Sequence, residues 1–359
     1  MIKSAILLIF LWAFQSLGGP LFSANVNIFM AADNDLEEFA YNDLEEIKTI
    51  WMQLKNVAIN IELHTSNESK RITFKNNEII ENTTPRLTEP KTQLANFAKW
   101  SFNAEEKNIL IIWGHGQGPL IKKRFDRFRN SKFGGIFTGS KNYSPLSSED
   151  LAEIFSKYKY EILIFDMCLM QNIHVLNDVS KFANIIIASA QIQNFNGLPY
   201  DLILKKISEI GDFAELAKHI IIDTATIMPN DTYTLSALHG NSIPYIYQQL
   251  NYINTLIQDL ILESAFIEFI IKSYLEQLPH FPGDYYDIGM YIGQLNLIDQ
   301  ENDILTIKIQ KELAKLQDEL NFGLIFKKFG GHYVDGHMPY YVEYFQGLSI
   351  NQSDFPVKF

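Results

Sequence analysis

Short apolar runs alternate along the first half of the chain with segments whose apolar residues recur at helical spacing. Nearly unbroken apolar runs occupy residues 26–31, 109–113, 162–165 and 185–189, whereas residues 57–63 alternate between apolar and polar side chains. Such runs are typical of strands in a sheet that helices cover on both faces. The pattern predicts an α/β fold, a three-layer αβα sandwich around a mostly parallel sheet.

The segments between these runs predict helices and one hairpin. Helices are expected up to about residue 54 and over about residues 92–102, 148–158 and 170–182, and a polar hairpin over residues 71–85. Asp33-Asn34-Asp35 precedes the first helix, and its short polar side chains suit a helix N-cap. Helical spacing dominates from residue 213 to 320, and a short apolar strand follows at residues 347–350. We therefore expect a core over residues 25–240 and a helical C-terminal subdomain over residues 241–359, which returns this short strand.

The N-terminus has the composition of an export signal. Lys3 gives a positive start, residues 5–14 form a short apolar core, and small residues follow up to Ala24. The apolar core is too short to cross a bilayer comfortably, which favours a signal peptide over residues 1–24 rather than an uncleaved anchor. No membrane span is predicted in the mature chain. The sequence thus predicts an exported protein, either periplasmic or secreted.

Composition narrows the classes of function. The 359-residue chain has a formal net charge of -12, which argues against nucleic-acid binding, because that requires a basic face for the phosphates. Hydrophobic residues make up 47% of the chain, enough for one large packed domain or two smaller ones. The single cysteine excludes an internal disulfide. We expect a monomer.

Two of the predicted strands end in reactive side chains. Cys168 follows the run 162–165, and His115 follows the run 109–113 between two glycines. The carboxyl ends of parallel strands share one edge of the sheet, where α/β proteins place their sites. A cysteine and a distant histidine are a candidate nucleophile and base. The alternatives are a small buried thiol and a core histidine that have only packing roles.

Six short motifs occur in a characteristic order along the chain. They are FMAADNDLE at residues 29–37, WGHGQG at 113–118, DMCLM at 166–170, AS at 188–189 with GLPY at 197–200, YDIG at 286–289 and GLSI at 347–350. In these motifs the chain resembles the clostripain family of cysteine peptidases, within the caspase-like clan. Each motif is weak by itself, but the six in order span nearly all of the mature chain.

The resemblance implies a caspase-like core that hydrolyses peptide bonds in a protein or peptide substrate. Cys168 would attack the scissile carbonyl as a thiolate, and His115 would protonate the leaving amine. Backbone N–H groups of Gly116 and Cys168 would form the oxyanion hole. A side chain at Gly116 would crowd the scissile carbonyl.

No cofactor is required for this chemistry. The sequence has no cluster of histidine, cysteine and aspartate at metal-ligand spacing. Family members can depend on calcium, and Asp33-Asn34-Asp35 offers oxygen atoms for a structural calcium ion. A helix cap is the better explanation of this triplet.

The resemblance also assigns Asp166, Ser189 and Asn196 to the substrate pocket. Asp166 would pair with the side chain of Arg or Lys, although an aspartate that satisfies backbone donors at a strand end is the alternative. The chain departs from the family pattern in the pocket loop and in the segment after the cysteine. Asn196 stands where members have an acidic residue, and His174 stands where members usually have glutamate.

A long loop between His115 and the helix at residue 148 concentrates positive charge in an acidic chain. Within residues 119–146 the candidate processing residues are Lys123, Arg124, Arg127, Arg129 and Lys132. An acidic pocket at Asp166 would make this loop a self-cleavage site that gates activity. The alternative is a solvated surface loop.

The sequence therefore predicts an exported clostripain-like cysteine endopeptidase that cleaves after Arg or Lys. Two alternatives stay open. A transpeptidase would pass the acyl group to an amine instead of water, and a catalytically idle relative would serve as a binding module.

Overall fold

The computed structural model describes residues 23–86, 88–119, 135–140, 144–227, 233–263, 265–278, 280–281, 285–298, 304–330 and 346–357. The strands in these ranges are β1 (Ala24–Ala32), β2 (Val57–Thr65), β3 (Ser69–Lys75), β4 (Glu78–Thr83), β5 (Lys107–Trp113), β6 (Tyr160–Asp166), β7 (Ala183–Ser189), β8 (Tyr233–His239), β9 (Tyr285–Asp287), β10 (Leu324–Gly330) and β11 (Ser349–Asn351).

The α-helices in the same ranges are α1 (Glu37–Ile50), α2 (Pro90–Ser101), α3 (Ser148–Phe155), α4 (Ile173–Val179), α5 (Tyr200–Glu209), α6 (Phe213–Ile227), α7 (Ile243–Glu263), α8 (Ala265–Leu275), α9 (Ile288–Leu295) and α10 (Ile304–Gly323). Short 3-10 turns occupy Trp51–Gln53, Gly240–Ser242 and Gln352–Asp354.

Nine of the strands form one sheet in the order β10-β8-β7-β6-β5-β1-β2-β3-β4. The five central strands, from β7 to β2, are parallel. The hairpin β3–β4 extends one edge, and the antiparallel strands β8 and β10 extend the other. The structure thus confirms the predicted α/β sandwich with a mostly parallel central sheet.

Side chains of the central strands alternate between two hydrophobic clusters, as the two-residue period of a strand requires. On β6, Leu163 and Phe165 join the cluster beneath α2, α3, α4 and the C-terminal helices. Ile162 and Ile164 join the cluster beneath α1, α5 and α6. Burial on both faces explains why these strands are almost wholly apolar in sequence.

The C-terminal part contains more strand than the sequence pattern predicts. The expected strand at residues 347–350 is β11, and it pairs with β9 in a separate two-stranded sheet. The strand that returns to the main sheet is instead β10, which lies antiparallel to β8. Buried residues of α7, α9 and α10 belong to the same cluster as those of β5 and β6. The division at residue 240 stays a prediction.

The segment 346–357 is tied to the middle of the chain by buried polar contacts. Backbone N–H groups of Gln346 and Gly347 donate to the buried carboxylate of Asp287, at 3.0 and 2.9 Å. The N–H of Ser349 donates to the carbonyl of Gln171 at 2.8 Å. Since Gln171 is three positions beyond the predicted nucleophile, this segment fixes the turn that carries it.

The predicted signal peptide falls almost entirely on residues 1–22, outside the described residues. Among the helices that the structure describes, none combines the length and the apolar character needed to span a membrane.

Candidate active site

Three adjacent strands bring the candidate catalytic residues to one edge of the sheet. Trp113 at the end of β5 is in register with Asp166 at the end of β6 and with Met30 near the end of β1. His115 and Cys168 each lie two residues beyond these strand ends. The structure therefore places both side chains at the carboxyl edge, as the sequence predicts.

Cys168 is partly buried at a strained turn. Leu169, the next residue, has a φ of 62°, in the left-handed region that few residues other than glycine adopt. The Leu169 N–H donates to the carbonyl of Gln191 at 3.1 Å, which holds the turn. Strain of this kind concentrates at functional sites, where the surrounding structure enforces it.

The thiol of Cys168 is protonated at neutral pH. Burial raises its pKa, the N–H of Gln193 opposes this by donating to Sγ at 3.3 Å, and the negative charge of Asp166 raises the pKa further. A nucleophilic thiolate therefore requires a base that removes the proton.

His115 is held by the segment that follows β1. Its Nε2 lies 2.7 Å from Oδ1 of Asp35, and this hydrogen bond is the main cause that lowers the pKa of Asp35. Gly139 packs against the ring, since a Cβ built there would lie 2.9 Å from Cδ2 of His115. Among the described residues, the imidazole makes no hydrogen bond to Cys168.

The predicted helix-cap role of Asp33-Asn34-Asp35 is wrong. Helix α1 begins after Leu36, which caps it without a side-chain hydrogen bond. Asn34 instead forms a local turn, because its Oδ1 accepts the N–H of Leu36 at 2.9 Å. The carboxylate of Asp35 contacts the ring of His115 instead of capping the helix. The contact between Asp35 and His115 could have been predicted only from the pairing of β1 with β5, and the sequence alone does not give the strand order.

The expected oxyanion-hole donors are available. Gly116 forms an isolated antiparallel bridge with Ile136, and the hydrogen bonds beside it are made by the neighbours of Gly116, such as the N–H of Gln117. Within the described ranges, neither the Gly116 nor the Cys168 N–H donates to another residue. The two groups belong to adjacent strand ends, and their role as oxyanion donors stays a prediction.

Glycine is required at position 116 for a reason other than the expected one. A Cβ there would lie 2.6 Å from the carbonyl oxygen of Cys168 and 3.0 Å from Sδ of Met170. The collision is thus with the neighbouring strand end of the protein itself, before any substrate is present.

An open cleft with a volume of about 750 Å³ lies beside the histidine. Its lining residues are Asp33, Asn34, Asp35, Glu37, Ser66, His115, Gly116, Gln117, Thr138 and Gly139. Asp33 is engaged within the protein, since Ser140 Oγ donates to its carboxylate at 2.9 Å. His115 and Gly116 thus line this cleft, whereas Cys168 is not among its lining residues.

Asp166 is buried beneath the loop that follows β7. Its Oδ2 accepts hydrogen bonds from the N–H of Leu198 at 3.3 Å and from the hydroxyl of Tyr200 at 3.1 Å. Gly197, with a φ of 63°, covers the carboxylate, and a Cβ there would lie 3.0 Å from Oδ2. Burial raises the pKa of Asp166 to about 6, so the group is mainly ionised at neutral pH.

Asp166 and Cys168 do not share a face of the sheet, although they are two residues apart, a spacing that places strand side chains on one face. Strand β6 ends at Asp166, and the turn redirects the chain. The partners of Asp166 belong to the cluster under α5, whereas Cys168 packs against the opposite cluster. The two groups are nevertheless close enough for the aspartate charge to act on the thiol.

A second buried carboxyl group, Asp43 on α1, was missed in the sequence. Its Oδ2 accepts the indole N–H of Trp113 at 2.7 Å. Burial, with the negative charge of Asp166 added, raises the pKa of Asp43 to about 9, so it is protonated at neutral pH. An acidic residue on the apolar stripe of α1, beside buried Leu44 and Ile47, was the signal that could have revealed it.

The other predicted pocket residues lie on the loop beside Asp166 or beneath it. Ser189 is fully buried, and its hydroxyl donates to the carbonyl of Gln191 at 2.9 Å and shares a hydrogen bond with Thr234. It therefore braces the loop. Asn196 is exposed, and its N–H donates to Asn194 Oδ1 at 2.9 Å. Their predicted contacts with substrate stay predictions.

His174, the departure from the family pattern, joins α4 to the C-terminal segment. Its Nε2 lies 2.8 and 2.9 Å from the two carboxylate oxygens of Asp354. Burial would lower the pKa of His174, but the hydrogen bond and charge of Asp354 outweigh it, and the pKa is raised. The contact is structural and lies outside the cleft.

The predicted processing residues Lys123, Arg124, Arg127, Arg129 and Lys132 lie outside the described residues. The chain returns at residues 135–140, and there the N–H of Phe137 donates to the carbonyl of His115 at 2.9 Å. Within the ranges that the structure describes, no group of three or more His, Cys, Asp or Glu side chains is arranged to hold a metal ion. Structural calcium stays a prediction.

A thiol and an imidazole at adjacent strand ends of an αβα sheet are the arrangement expected of a cysteine peptidase. The model of the clostripain family matches residues 28–346. The chain therefore belongs to the clostripain family of cysteine peptidases, as its motifs predicted.

Solved structures of the same family share the fold. An inactive zymogen C11 protease from Parabacteroides distasonis has a TM-score of 0.67 and 20% identity over 94% of both chains. A secreted C11 cysteine protease from Bacteroides thetaiotaomicron has a TM-score of 0.66 and 16% identity over 92% of this chain and 94% of that chain. Comparison with curated protein sequences gives no significant match.

Proposed function

We propose that the mature protein is an exported endopeptidase that cleaves after Arg or Lys. Cys168 is the nucleophile, His115 transfers protons, and the N–H groups of Gly116 and Cys168 hold the oxyanion. The observation that carries the specificity is the buried carboxylate of Asp166, two residues before the nucleophile.

The charge of Asp166 favours a cationic ligand. Both groups that donate to it, the N–H of Leu198 and the hydroxyl of Tyr200, are neutral. A buried carboxylate is costly without an opposite charge, and a guanidinium or ammonium group would supply one. Glycine at position 197, where a Cβ would lie 3.0 Å from Oδ2, keeps a protein side chain off the carboxylate.

The same charge links substrate binding to the nucleophile. Asp166 raises the pKa of the Cys168 thiol. A cationic side chain bound at Asp166 would offset that charge and favour thiolate formation when substrate is in place. Cleavage after Arg or Lys is thus favoured at the chemical step as well as in binding.

The reaction follows from these positions. His115 accepts the thiol proton, Sγ bonds to the carbonyl carbon, and negative charge develops on the oxygen between two N–H groups, each worth about 3 kcal/mol of barrier. The imidazolium donates its proton to the leaving amine as the C–N bond breaks. Water, deprotonated by His115, then hydrolyses the thioester to a carboxylic acid and the free thiol.

Export and self-processing are parts of the same proposal. The positive and apolar N-terminus supports export, as does the solved relative described as secreted. The basic residues before segment 135–140 support cleavage there, since that segment hydrogen-bonds to the His115 backbone. The relative described as an inactive zymogen is consistent with an activation step.

The decisive experiment compares fluorogenic peptides that differ only at the residue before the cut. Arg and Lys peptides should be cleaved at least tenfold faster than Gln or Leu peptides, and Cys168→Ala should abolish cleavage. Equal rates across the series would refute the specificity. Acyl transfer to an added amine, in place of hydrolysis, would identify a transpeptidase.

Two further assays separate the remaining outcomes. An Arg-directed acyloxymethyl ketone should label Cys168, and a folded protein without labelling or turnover would be a binding module. On storage, the wild type should be cut between residues 119 and 146 while Cys168→Ala stays intact. The same intact band in both would refute self-processing.

A further inference from the structure

The acidic segment after β1 places the carboxylate of Asp35 against His115, a contact to which the proposed reaction assigns no role. We propose that Asp35 is a positioning residue, which holds the His115 imidazole with its proton on Nε2, so that Nδ1 performs the proton transfers. This rests on the proposed function, because it assigns a role within that reaction.

Sheet order places the three groups in line. β6, β5 and β1 are consecutive in the sheet, and beyond their ends lie Cys168, His115 and Asp35 respectively. The histidine is therefore between the thiol and the carboxylate. The 2.7 Å contact from Nε2 to Asp35 Oδ1 joins the histidine to the segment that follows β1, while the nucleophile follows β6 on the other side of β5.

The carboxylate is presented by a fixed turn. Asn34 accepts the N–H of Leu36 through Oδ1 and donates through Nδ2 to the carbonyl of Ala31 at 3.2 Å. Leu36 is buried and anchors the start of α1. Asp35 thus sits between two immobilised residues, although its own side chain is 74% exposed.

The ring is restrained on the same side. Gly139 packs against Cδ2, and a Cβ at that position would lie 3.6 Å from Nε2. Since the backbone carbonyl of His115 also accepts the N–H of Phe137, ring and backbone are both held. Rotation that would exchange the two ring nitrogens would break the Asp35 contact.

The ionised carboxylate of Asp35 determines which ring nitrogen of His115 carries the proton. The hydrogen bond lowers the pKa of Asp35, so its carboxylate is ionised at neutral pH and can only accept. Nε2 must donate, which leaves the lone pair of a neutral imidazole on Nδ1. In acylation the thiol proton moves to Nδ1 and then to the leaving amine as the C–N bond breaks. In deacylation a proton from water moves to Nδ1 and then to Sγ as the C–S bond of the thioester breaks.

The first test is steady-state kinetics of Asp35→Ala and Asp35→Asn on an Arg peptide. Loss of the corresponding buried aspartate in serine peptidases costs roughly 10⁴-fold in kcat. Because Asp35 is largely exposed, we expect a smaller fall in kcat of about 10- to 100-fold, with KM within twofold. Asp35→Glu should recover part of the loss.

The matched control is Glu38→Gln, which removes one exposed acidic charge from the first turn of α1 and should keep the wild-type kcat. Melting temperatures should be unchanged in all variants. An unchanged kcat in Asp35→Ala overturns the proposal. A rise in KM with kcat intact also overturns it, because Asp35 would then bind substrate.

The second test does not need activity. In the Cys168→Ala protein, NMR titration should find the Asp35 carboxyl pKa below its ordinary value, and nitrogen shifts should show His115 protonated on Nε2. Adding His115→Ala should return the Asp35 pKa to its ordinary value. An identical titration with and without the imidazole overturns the pairing, even in an active enzyme. A wild type inactive on every peptide would refute the proposed function, while this titration still decides the pairing.

Discussion

Replacing Gly116 by alanine tests whether the two strand ends form the oxyanion hole. The added Cβ would lie 2.6 Å from the Cys168 carbonyl oxygen, which belongs to the backbone and cannot rotate away. Ordinary van der Waals contact begins at 3.4 Å, so the strand ends must separate by about 0.8 Å. Gly116→Ala therefore displaces one donor relative to the other.

The size of this displacement sets the expected effect. Oxyanion donors act at roughly 2.7–3.1 Å, so a shift of about 0.8 Å removes one of the two hydrogen bonds. We expect kcat to fall about 10²- to 10³-fold with little change in KM, since the contact forms in the transition state. Overpacking should also lower the free energy of unfolding by about 1–3 kcal/mol.

The assay is hydrolysis of an Arg peptide, with thermal unfolding as the stability measurement. Gly293→Ala is the matched control, because nothing lies within 4 Å of a Cβ built at this position of α9. It should keep full activity and gain up to about 1 kcal/mol in stability from helix propensity. A folded Gly116→Ala protein with wild-type kcat would refute the oxyanion-hole assignment.

Three further predictions concern titratable side chains whose pKa values are raised in the folded protein. Asp166→Asn should raise KM for Arg peptides at least tenfold and abolish the fall in kcat/KM as pH drops through about 6. The same substitution should speed alkylation of Cys168 by iodoacetamide, because removal of the negative charge lowers the pKa of the thiol. Slower alkylation would contradict the coupling between Asp166 and Cys168. Asp43 has a raised folded pKa, so its stabilisation is complete at low pH and is lost as pH rises towards about 9, by at most about 1.4 kcal/mol per unit. Urea unfolding of Asp43→Asn should lack that slope, and an unchanged slope would refute it. His174 also has a raised pKa, so His174→Gln should lose about 1–2 kcal/mol below pH 6.5 and progressively less above it; a constant loss across pH would show that Asp354 does not hold the charge.

Elements with strong local periodicity were predictable from sequence. Both strands that end near the catalytic residues are unbroken apolar runs, and the hairpin β3–β4 follows from its alternation and its turn at Asn76 and Asn77, which both have positive φ. Strand β10 was missed because Lys327 and Lys328 interrupt its apolar residues and it continues directly from α10. Pairing with β8 decides its conformation, and no local pattern records that pairing.

The position of the two candidate catalytic residues at one edge of the sheet was predictable, and their surroundings were less so. Cys168 and His115 follow from strand ends and motif, whereas the contact of His115 with Asp35 joins residues 80 positions apart. Asp43 lies in an amphipathic helix that also carries several solvated acidic residues. Only the fold shows which acids are buried, because burial depends on elements distant in sequence.

The contact between Ser349 and Gln171 also has a consequence for the order of folding during synthesis. The hydrogen bonds from Ser349 to the Gln171 carbonyl can form only after the ribosome has made the segment some 180 residues downstream. Contacts of such long sequence separation form late and slowly. A nascent chain thus carries both Cys168 and His115 for much of translation before this contact can form.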